Sequence, residues 1–504
     1  MDSKISLSYC WADKDIANKI DQDWKALGII LTRDIRDVDY KGSFRAFMQS
    51  MREGDFVLLI ISENYLKSKN CMFEALELFQ DPAFKDKILP VLAPNANIYN
   101  ALGRLQYAKY WEEQISELTA QIKQLDGLDN ITSAYQELDH LRRIRGSIDQ
   151  FCATLSDLKY STWIEVEAKG YKDIFEYIGG DIDSALTAEC SDILMINDIQ
   201  EQAIHLEQLS RKNPNNKTIL FTEAAVAFKR KNYKIARNKL ESIVSIYDDN
   251  TARIELGIIL AGFLGKPQLA REQYESALEK DPKNSNILNN LALVLSDDSI
   301  NEVELSKSCF EQAIEINPND DEILINYANF LYQKTNDLEN AALKFKTAFS
   351  INNANAGTHY SYGLLSLKQG NIELARHHLE DSIKLDPKTP AWGIIGNIIL
   401  IHYKNLELAD KYFKGAISLA DNEPQGHYNY ANYLAQHTTN HELALIHYRR
   451  AIDLDPNNGI YHINLCIKLL RINRMAEARE HYQRACAIDP SLKQLALDEA
   501  LLKT

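Results

Sequence analysis

A beat of 34 to 36 residues through the second half of the chain limits what this sequence can fold into more than any other feature. The dipeptides Asp281-Pro282, Asn317-Pro318, Asp386-Pro387, Asp455-Pro456 and Asp489-Pro490 recur at spacings of 36, 69, 69 and 34 residues, and 69 divides into one step of 34 and one of 35. Small residues keep the same beat. Ala270, Ser306, Ala341, Ala375, Ala409, Ala444 and Ala478 stand twelve positions before each proline or its equivalent, and Ala277, Ala313, Ala348, Ser382, Ala416, Ala451 and Ala485 follow seven residues later. Small side chains at these places let two helices approach closely, and proline marks the turn at which the next pair begins. Ala236 carries the rhythm one unit upstream, and Lys493 to Leu502 reads as a capping helix. The expectation is about eight repeats over residues 216–504, stacked into a curved all-α solenoid because one unit cannot bury its apolar face alone.

At 504 residues the chain is too long for one core, so at least one further domain precedes the repeats. A formal net charge of −15 argues against nucleic acid or an anionic membrane as the main partner. No apolar run approaches the roughly 20 residues needed to span a bilayer. The opening MDSKISLSYC enters a strand at once, with no basic or long apolar segment, so a signal peptide is not expected. Seven scattered cysteines (10, 71, 152, 190, 309, 466 and 486) without a CxxC fit free thiols in a reducing compartment, and a cytoplasmic location is expected.

The N-terminal part alternates strand and helix patterns. Ile5 to Tyr9 reads as a strand, Asp13 to Leu27 as an amphipathic helix closed by Gly28, and Ile29 to Leu31 as a second strand. A charged loop from Arg33 to Ser43 leads to a helix with Phe44, Phe47, Met48 and Met51 on one face. Phe56 to Ile61 (FVLLII) is a buried strand that turns through SENYLKSKNCMFEALE, Ser62 to Glu77, into a helix. Ile88 to Leu92 reads as a fourth strand and Tyr107 to Trp111 as a fifth, in a parallel sheet covered on both faces. Glu74 then lies on the first turns of its helix beside the carboxyl ends of the strands, where open α/β sheets bind ligands. Between about 112 and 158, apolar residues at 115, 118, 122 and 125, and again from 138 to 158 in steps of three and four, describe a helical hairpin around the turn DGLDN. Its seam either packs on itself and the neighbouring domain or serves oligomerisation.

The segments ISLSYCWAD, RDVDYKG and SENYLKSKNCMFE, in that order, resemble the first box, the BB loop and the αC region of a Toll/interleukin-1 receptor (TIR) domain, and STWIEVEAKGYKDIFEYIG resembles its closing helix. The repeat resembles the tetratricopeptide repeat. Together the two resemblances imply a flavodoxin-like parallel-sheet TIR domain over 1–180, a helical connector over 181–215 and tetratricopeptide repeats over 216–504.

TIR domains of the enzymatic kind cleave the bond between nicotinamide and ribose in NAD, and the resemblance places the catalytic glutamate on Glu74. A carboxylate there can stabilise an oxocarbenium-like centre as a glycosidic bond breaks. By the same resemblance Tyr9, Cys10 and Trp11, with Tyr40, Lys41 and Gly42 of the BB loop, line the NAD pocket. NAD enters as substrate, and neither a resident cofactor nor a metal is expected. One residue departs from the pattern: the family commonly has Trp four residues before the glutamate, where this chain has Asn70, so Phe73 or Trp11 would have to supply the ring. Apart from the resemblance, a glutamate at the start of a helix is ordinarily a solvated partner of the helix dipole, and Glu77 reads as a surface charge. The resemblance further implies self-association through the BB loop and a setting like that of prokaryotic or archaeal immune effectors that deplete NAD. A non-catalytic TIR adaptor that recruits partners through the repeats is the alternative, and a glycosidase acting on smaller nucleosides is a third reading.

Asn290, Asn326, Asn429 and Asn464 recur before a small residue in the first helix of their repeats (NLA, NYA, NYA, NLC). A row of amides can hydrogen-bond an extended peptide, which implies a peptide or protein ligand, or it can satisfy polar groups between helices. His437 and His441 flank an inter-helix loop, and His377 and His378 diverge on one helix, so neither pair reads as a metal site. Neither GxGxxG nor GxxxxGK[ST] occurs, which argues against a Rossmann dehydrogenase or a P-loop ATPase.

Overall fold

The structure is a computed structural model that describes residues 4–33, 54–80, 84–124, 132–158, 161–178, 184–352, 355–419, 421–493 and 497. By backbone contacts it divides into two compact units, Met1–Ile323 and Leu324–Thr504.

Five parallel strands form one sheet in the order β2-β1-β3-β4-β5: β1 is Ile5–Ser8, β2 Leu31–Arg33, β3 Phe56–Ile61, β4 Ile88–Leu92 and β5 Ser161–Thr162. The register pairs Ile5 with both Leu31 and Phe56, and Ser8 with Leu59, so β1 sits between β2 and β3. β3 is apolar along its whole length because both of its faces are covered. The helices are α1 (Lys14–Lys25), α2 (Glu63–Lys67), α3 (Lys69–Phe79), α4 (Ala101–Lys123), α5 (Thr132–Asp157), α6 (Trp163–Lys169), α7 (Lys172–Ile178), α8 (Ser184–Leu194) and α9 (Ile199–Lys212).

The fifth strand, the start of the second strand and the reading of Glu77 as a surface charge need correction. Residues 107–111 are helical, inside α4. Tyr107, Ala108 and Trp111 are buried at helical spacing, and the Asn100 side chain caps the helix by accepting from the Gly103 N–H at 2.8 Å. The place of a fifth strand is taken by Ser161–Thr162, paired with Val91 and Leu92. The second strand starts at Leu31, because Gly28 turns at φ +78° and the Ile29 N–H still bonds back to the Trp24 carbonyl. Of the two readings of the hairpin seam, the structure has the one in which it packs on the neighbouring domain. Leu141, Ile144, Ile148, Phe151 and Leu155 of α5 share a core with Met72, Ala75 and Leu76 of α3. Arg143 also pairs with Glu77 at 2.6 Å. That seam is therefore not available to a second chain, and Glu77 holds the hairpin rather than standing free on the surface. The expected BB loop and the helix carrying Phe44, Phe47, Met48 and Met51 lie outside the described residues.

On the opposite face, Ile5, Leu7, Leu58 and Ile60 share a core with Trp24 of α1 and Phe175 of α7. Leu186 and Cys190 of α8, Leu206 and Leu209 of α9, and Ile219 of the first repeat helix belong to the same core, so the connector is part of the domain's interior.

Among the described residues eight antiparallel helix pairs follow. Their first helices begin at Lys217, Asn250, Ser285, Asp321, Ala356, Ala391, Pro424 and Gly459. The alanines of the beat are buried, and four positions after the first of them in each second helix stands a large buried side chain that the small-residue pattern does not reveal. Tyr274, Phe310, Phe345, Leu379, Phe413, Tyr448 and Tyr482 occupy one position of successive second helices and are all buried. A Cβ added to Gly257 would sit 2.5 Å from the Tyr274 ring, and one added to Gly363 would sit 2.7 Å from Leu379. These two pairs are thus locked by a large side chain over a glycine.

Three repeats of the second unit share a further contact. His359 meets His378, His427 meets His447 and His462 meets His481, with Nδ1 to Nδ1 distances of 3.0, 3.0 and 2.9 Å. Such a contact needs one N–H and one lone pair, so it cannot hold two protons. Burial pushes His378 and His447 down to about 4, assisted by the facing His359 and His427 and opposed by Asp381 and Asp421. His377 acts with His359 on His378. Burial also lowers His462, where Arg484 assists, and His481, where Glu477 and Glu480 oppose.

Two predictions follow from this packing. Gly28 ends α1 at positive φ, and an added Cβ would lie 2.3 Å from Phe221, so Gly28→Ala should cost on the order of 2–4 kcal/mol in chemical denaturation. His378 and His447 stay neutral in the folded chain down to about 4 and protonate near 6.5 when unfolded, so between those values the unfolded chain binds more protons. Stability of the second unit should fall as pH drops from about 6.5 to about 4 and level off below, each histidine contributing on the order of 1–2 kcal/mol after solvent screening. Replacing His378 and His447 by Gln should flatten that part of the pH–stability curve.

Candidate active site

β1 is the strand at which chain order reverses. Its successor β2 lies on one side and β3 on the other, and the crevice at the carboxyl ends of β1 and β3 is the switch point of the sheet. Period-2 alternation along β1 sends Leu7 and Tyr9 to the α1 face and Ser8 to the α3 face. Ser8 Oγ donates to Glu74 Oε2 at 3.0 Å and lies 3.0 Å from the Tyr65 hydroxyl. Ser8 has one proton and gives it to the carboxylate, so Tyr65 donates to Ser8 and the three form a relay ending on Glu74.

Glu74 is 5% exposed. A solvated partner of the helix dipole would stand in water; here the helix carries the carboxylate into the crevice. Two short capped helices set that position. Ser62 caps α2 by accepting from the Tyr65 N–H at 2.9 Å, and Ser68 caps α3 by accepting from the Cys71 N–H at 3.4 Å. Trp111 of α4 anchors α2 by donating to the Leu66 carbonyl at 3.1 Å. Above the crevice, buried Asp13 accepts from Ser62 Oγ and, at 3.0 Å, from Asn64 Nδ2, which ties the loop after β1 to the loop after β3.

Cys10 and Cys71 meet at the same edge. Cys71 Sγ lies 3.8 Å from the Tyr9 carbonyl. Its hydrogen bond to Cys10 lowers the Cys10 thiol to about 7, with help from the Ala12 N–H and Ser68 and against burial and Asp13. The Cys71 thiol is pushed up by that same bond and by burial.

Of the residues expected to line the pocket, Cys10 is half-buried at the crevice and Trp11, 40% exposed, follows β1 directly. Tyr9 is a correction. Alternation places its ring on the opposite face, where Arg33 donates to its hydroxyl at 2.7 Å and stacks over it. Tyr40, Lys41 and Gly42 lie outside the described residues. Phe73 packs against His140 and Arg143 of α5, so it does not replace the missing ring, and Asn70 is exposed. Ser8, Asp13, Ser62, Asn64, Tyr65 and Cys71 were not singled out from the sequence. The available signal was ISLS itself, in which serine alternates with apolar residues inside a strand covered on both faces.

The repeat asparagines are half-buried. Asn464 donates to Tyr428 Oη at 3.1 Å and to the Ile460 carbonyl at 2.9 Å, and Asn429 accepts from Gln425 at 2.9 Å, so these two amides serve packing within the helical stack. Among the described residues no three His, Cys, Asp or Glu side chains are grouped to hold a metal, and no helix is long and apolar enough to cross a membrane.

Comparison with known families matches residues 5–125 to the TIR domain and residues 286–320, 309–342, 356–389 and 444–492 to the tetratricopeptide repeat. A TIR domain thus forms the N-terminus, and tetratricopeptide repeats lie in the C-terminal region. Both are domain types of protein–protein interaction, compatible with a signalling or scaffold role. No curated protein matches the chain. Among solved structures, it is similar to the APC/C hetero-tetramer Cut9–Hcn1 (14% identity, 87% of this chain and 86% of that one, TM-score 0.41). It is also similar to YrrB, a TPR protein with an unusual peptide-binding site (22%, 39% and 98%, 0.30), and to Pseudomonas aeruginosa PilF (18%, 45% and 96%, 0.37).

Ser8→Ala removes a donor from a buried carboxylate. It should lower stability by about 1–3 kcal/mol in urea unfolding, whereas Ser6→Ala, on the same strand face but not bonded to Glu74, should cost less.

Proposed function

We propose that the TIR domain cleaves the nicotinamide–ribose bond of NAD and that Glu74 is its catalytic carboxylate. What supports this reading is the placement of Glu74, a buried carboxylate held by Ser8, which is itself bonded to Tyr65, at the switch point of a parallel sheet. The chemistry suits one carboxylate. Nicotinamide is bound to ribose as a pyridinium and leaves neutral, so the step needs no general acid. Positive charge develops instead on the ribose C1 and ring oxygen, where a fixed carboxylate in a crevice shielded from water stabilises it. Capture by water gives ADP-ribose and a proton, and capture by an adenine nitrogen of the same molecule gives a cyclic isomer. Trp11 is the exposed ring near the crevice for stacking on a base. The BB loop of a neighbouring copy would complete the pocket, and repeats that cluster chains would raise the local TIR concentration without altering the site.

The adaptor reading has one observation in its favour. The position four residues before the glutamate holds exposed Asn70, and Phe73 is turned away against α5. Nicotinamide release by the full chain over a concentration series, with Glu74→Gln alongside, separates the two. The expected outcome is release that rises more than linearly with protein concentration and falls about 10²–10³-fold in Glu74→Gln. Release unaffected by that substitution, or none even when the chain is artificially clustered, rejects the NAD-cleaving reading and leaves the adaptor.

A further inference from the structure

We propose that Cys10 and Cys71 are an oxidative modification site, a thiol pair that closes into a reversible disulfide and ties the end of β1 to the first turn of α3. The two side chains pack in one cluster at the crevice, and Cys71 Sγ lies 3.8 Å from the carbonyl of the residue before Cys10. They come from strand and helix segments 61 residues apart in sequence, so the bond would cross-link two elements rather than close a local turn. Their environments are unequal. Cys10 is half-buried at the edge, while Cys71 is buried behind it with Ser68 at its amide. The Cys10 thiol, lowered to about 7, is about half ionised at neutral pH, whereas Cys71 is held protonated. That division is the one a peroxide-reactive cysteine and its resolving partner require.

With a hydroperoxide as oxidant, the Cys10 thiolate attacks one peroxide oxygen, the O–O bond breaks, and sulfenic acid forms as the other oxygen leaves and takes a proton to become water. The Cys71 sulfur then attacks the Cys10 sulfur, the S–OH bond breaks, and the departing hydroxide takes the Cys71 proton. Two thiols and one hydrogen peroxide give one disulfide and two waters, and a dithiol reductant reverses the bond. Cys71 is one turn before Glu74 on the same helix, so the disulfide would shift the turn that seats the carboxylate. This consequence for activity rests on the NAD-cleaving reading, but the disulfide does not.

The experiment treats the full chain with sub-stoichiometric to tenfold hydrogen peroxide and maps cysteine peptides by mass spectrometry. The expected result is a Cys10–Cys71 cross-linked peptide at the lowest peroxide ratio, ahead of the other cysteines, and its disappearance on reduction. In Cys71→Ser the Cys10 sulfenic acid should persist and be trapped by dimedone. Cys10 oxidised directly to sulfinic acid without a cross-link, or a first cross-link at Cys466 and Cys486, which also share a core, overturns the proposal. Nicotinamide release measured on the same samples should fall in step with the cross-link and return on reduction. A cross-link with unchanged release overturns the regulatory consequence alone, and absence of release before oxidation counts against the NAD-cleaving reading while the peptide map still decides the thiol pair.

Discussion

Burying a carboxylate is costly unless donors hold it, and the carboxyl edge of this sheet is organised around that requirement. Glu74 reaches the crevice because α3 starts immediately after α2, each capped by a serine, and because β1 presents Ser8 to the same face. Ser8 in turn is positioned by its pairing with Leu59. Tyr65 completes the relay from α2, whose carbonyl end is pinned by Trp111. β1 thus meets the carboxylate directly through Ser8, α2 acts on it through Ser8, and α4 acts through α2, which is how the helical hairpin supports the site although none of its residues is bonded to Glu74 in the relay.

The repeats obey a different constraint, close approach. A helix pair with a large side chain seated over glycine, as Tyr274 is over Gly257 and Leu379 over Gly363, has few other ways to pack, and a large buried residue recurs at that position from Tyr274 to Tyr482. Where the seat is filled, other positions take on chemistry. Three repeats of the second unit place histidine against histidine at the same point, which makes a packing contact into a proton-sensitive one.

Much of the fold was legible. The repeat beat marked the helix pairs, and alternating strand and helix patterns indicated a parallel sheet. The errors had local causes. YAKYW has the aromatic content of a strand, yet its buried positions fall at helical spacing within a capped helix, and nothing in five residues distinguishes the two. Tyr9 was adjacent to the site in sequence but faces away from it, since neighbours along a strand point to opposite sides. For the repeat asparagines the pattern left two readings open, and the bonds of Asn464 to Tyr428 and Ile460 match the one in which the amide serves packing between helices.

By itself the sequence determined periodicity, the order of elements and the residue type at Glu74, because these depend on spacing along the chain and on propensities that act over a few residues. Only the tertiary structure decided what Glu74 meets. Its hydrogen bond to Ser8 joins residues 66 positions apart, and the meeting of Cys71 with Cys10 is set by the same pairing of β1 with β3. Contacts of that reach follow from which strand lies beside which, and strand order leaves no mark in local pattern.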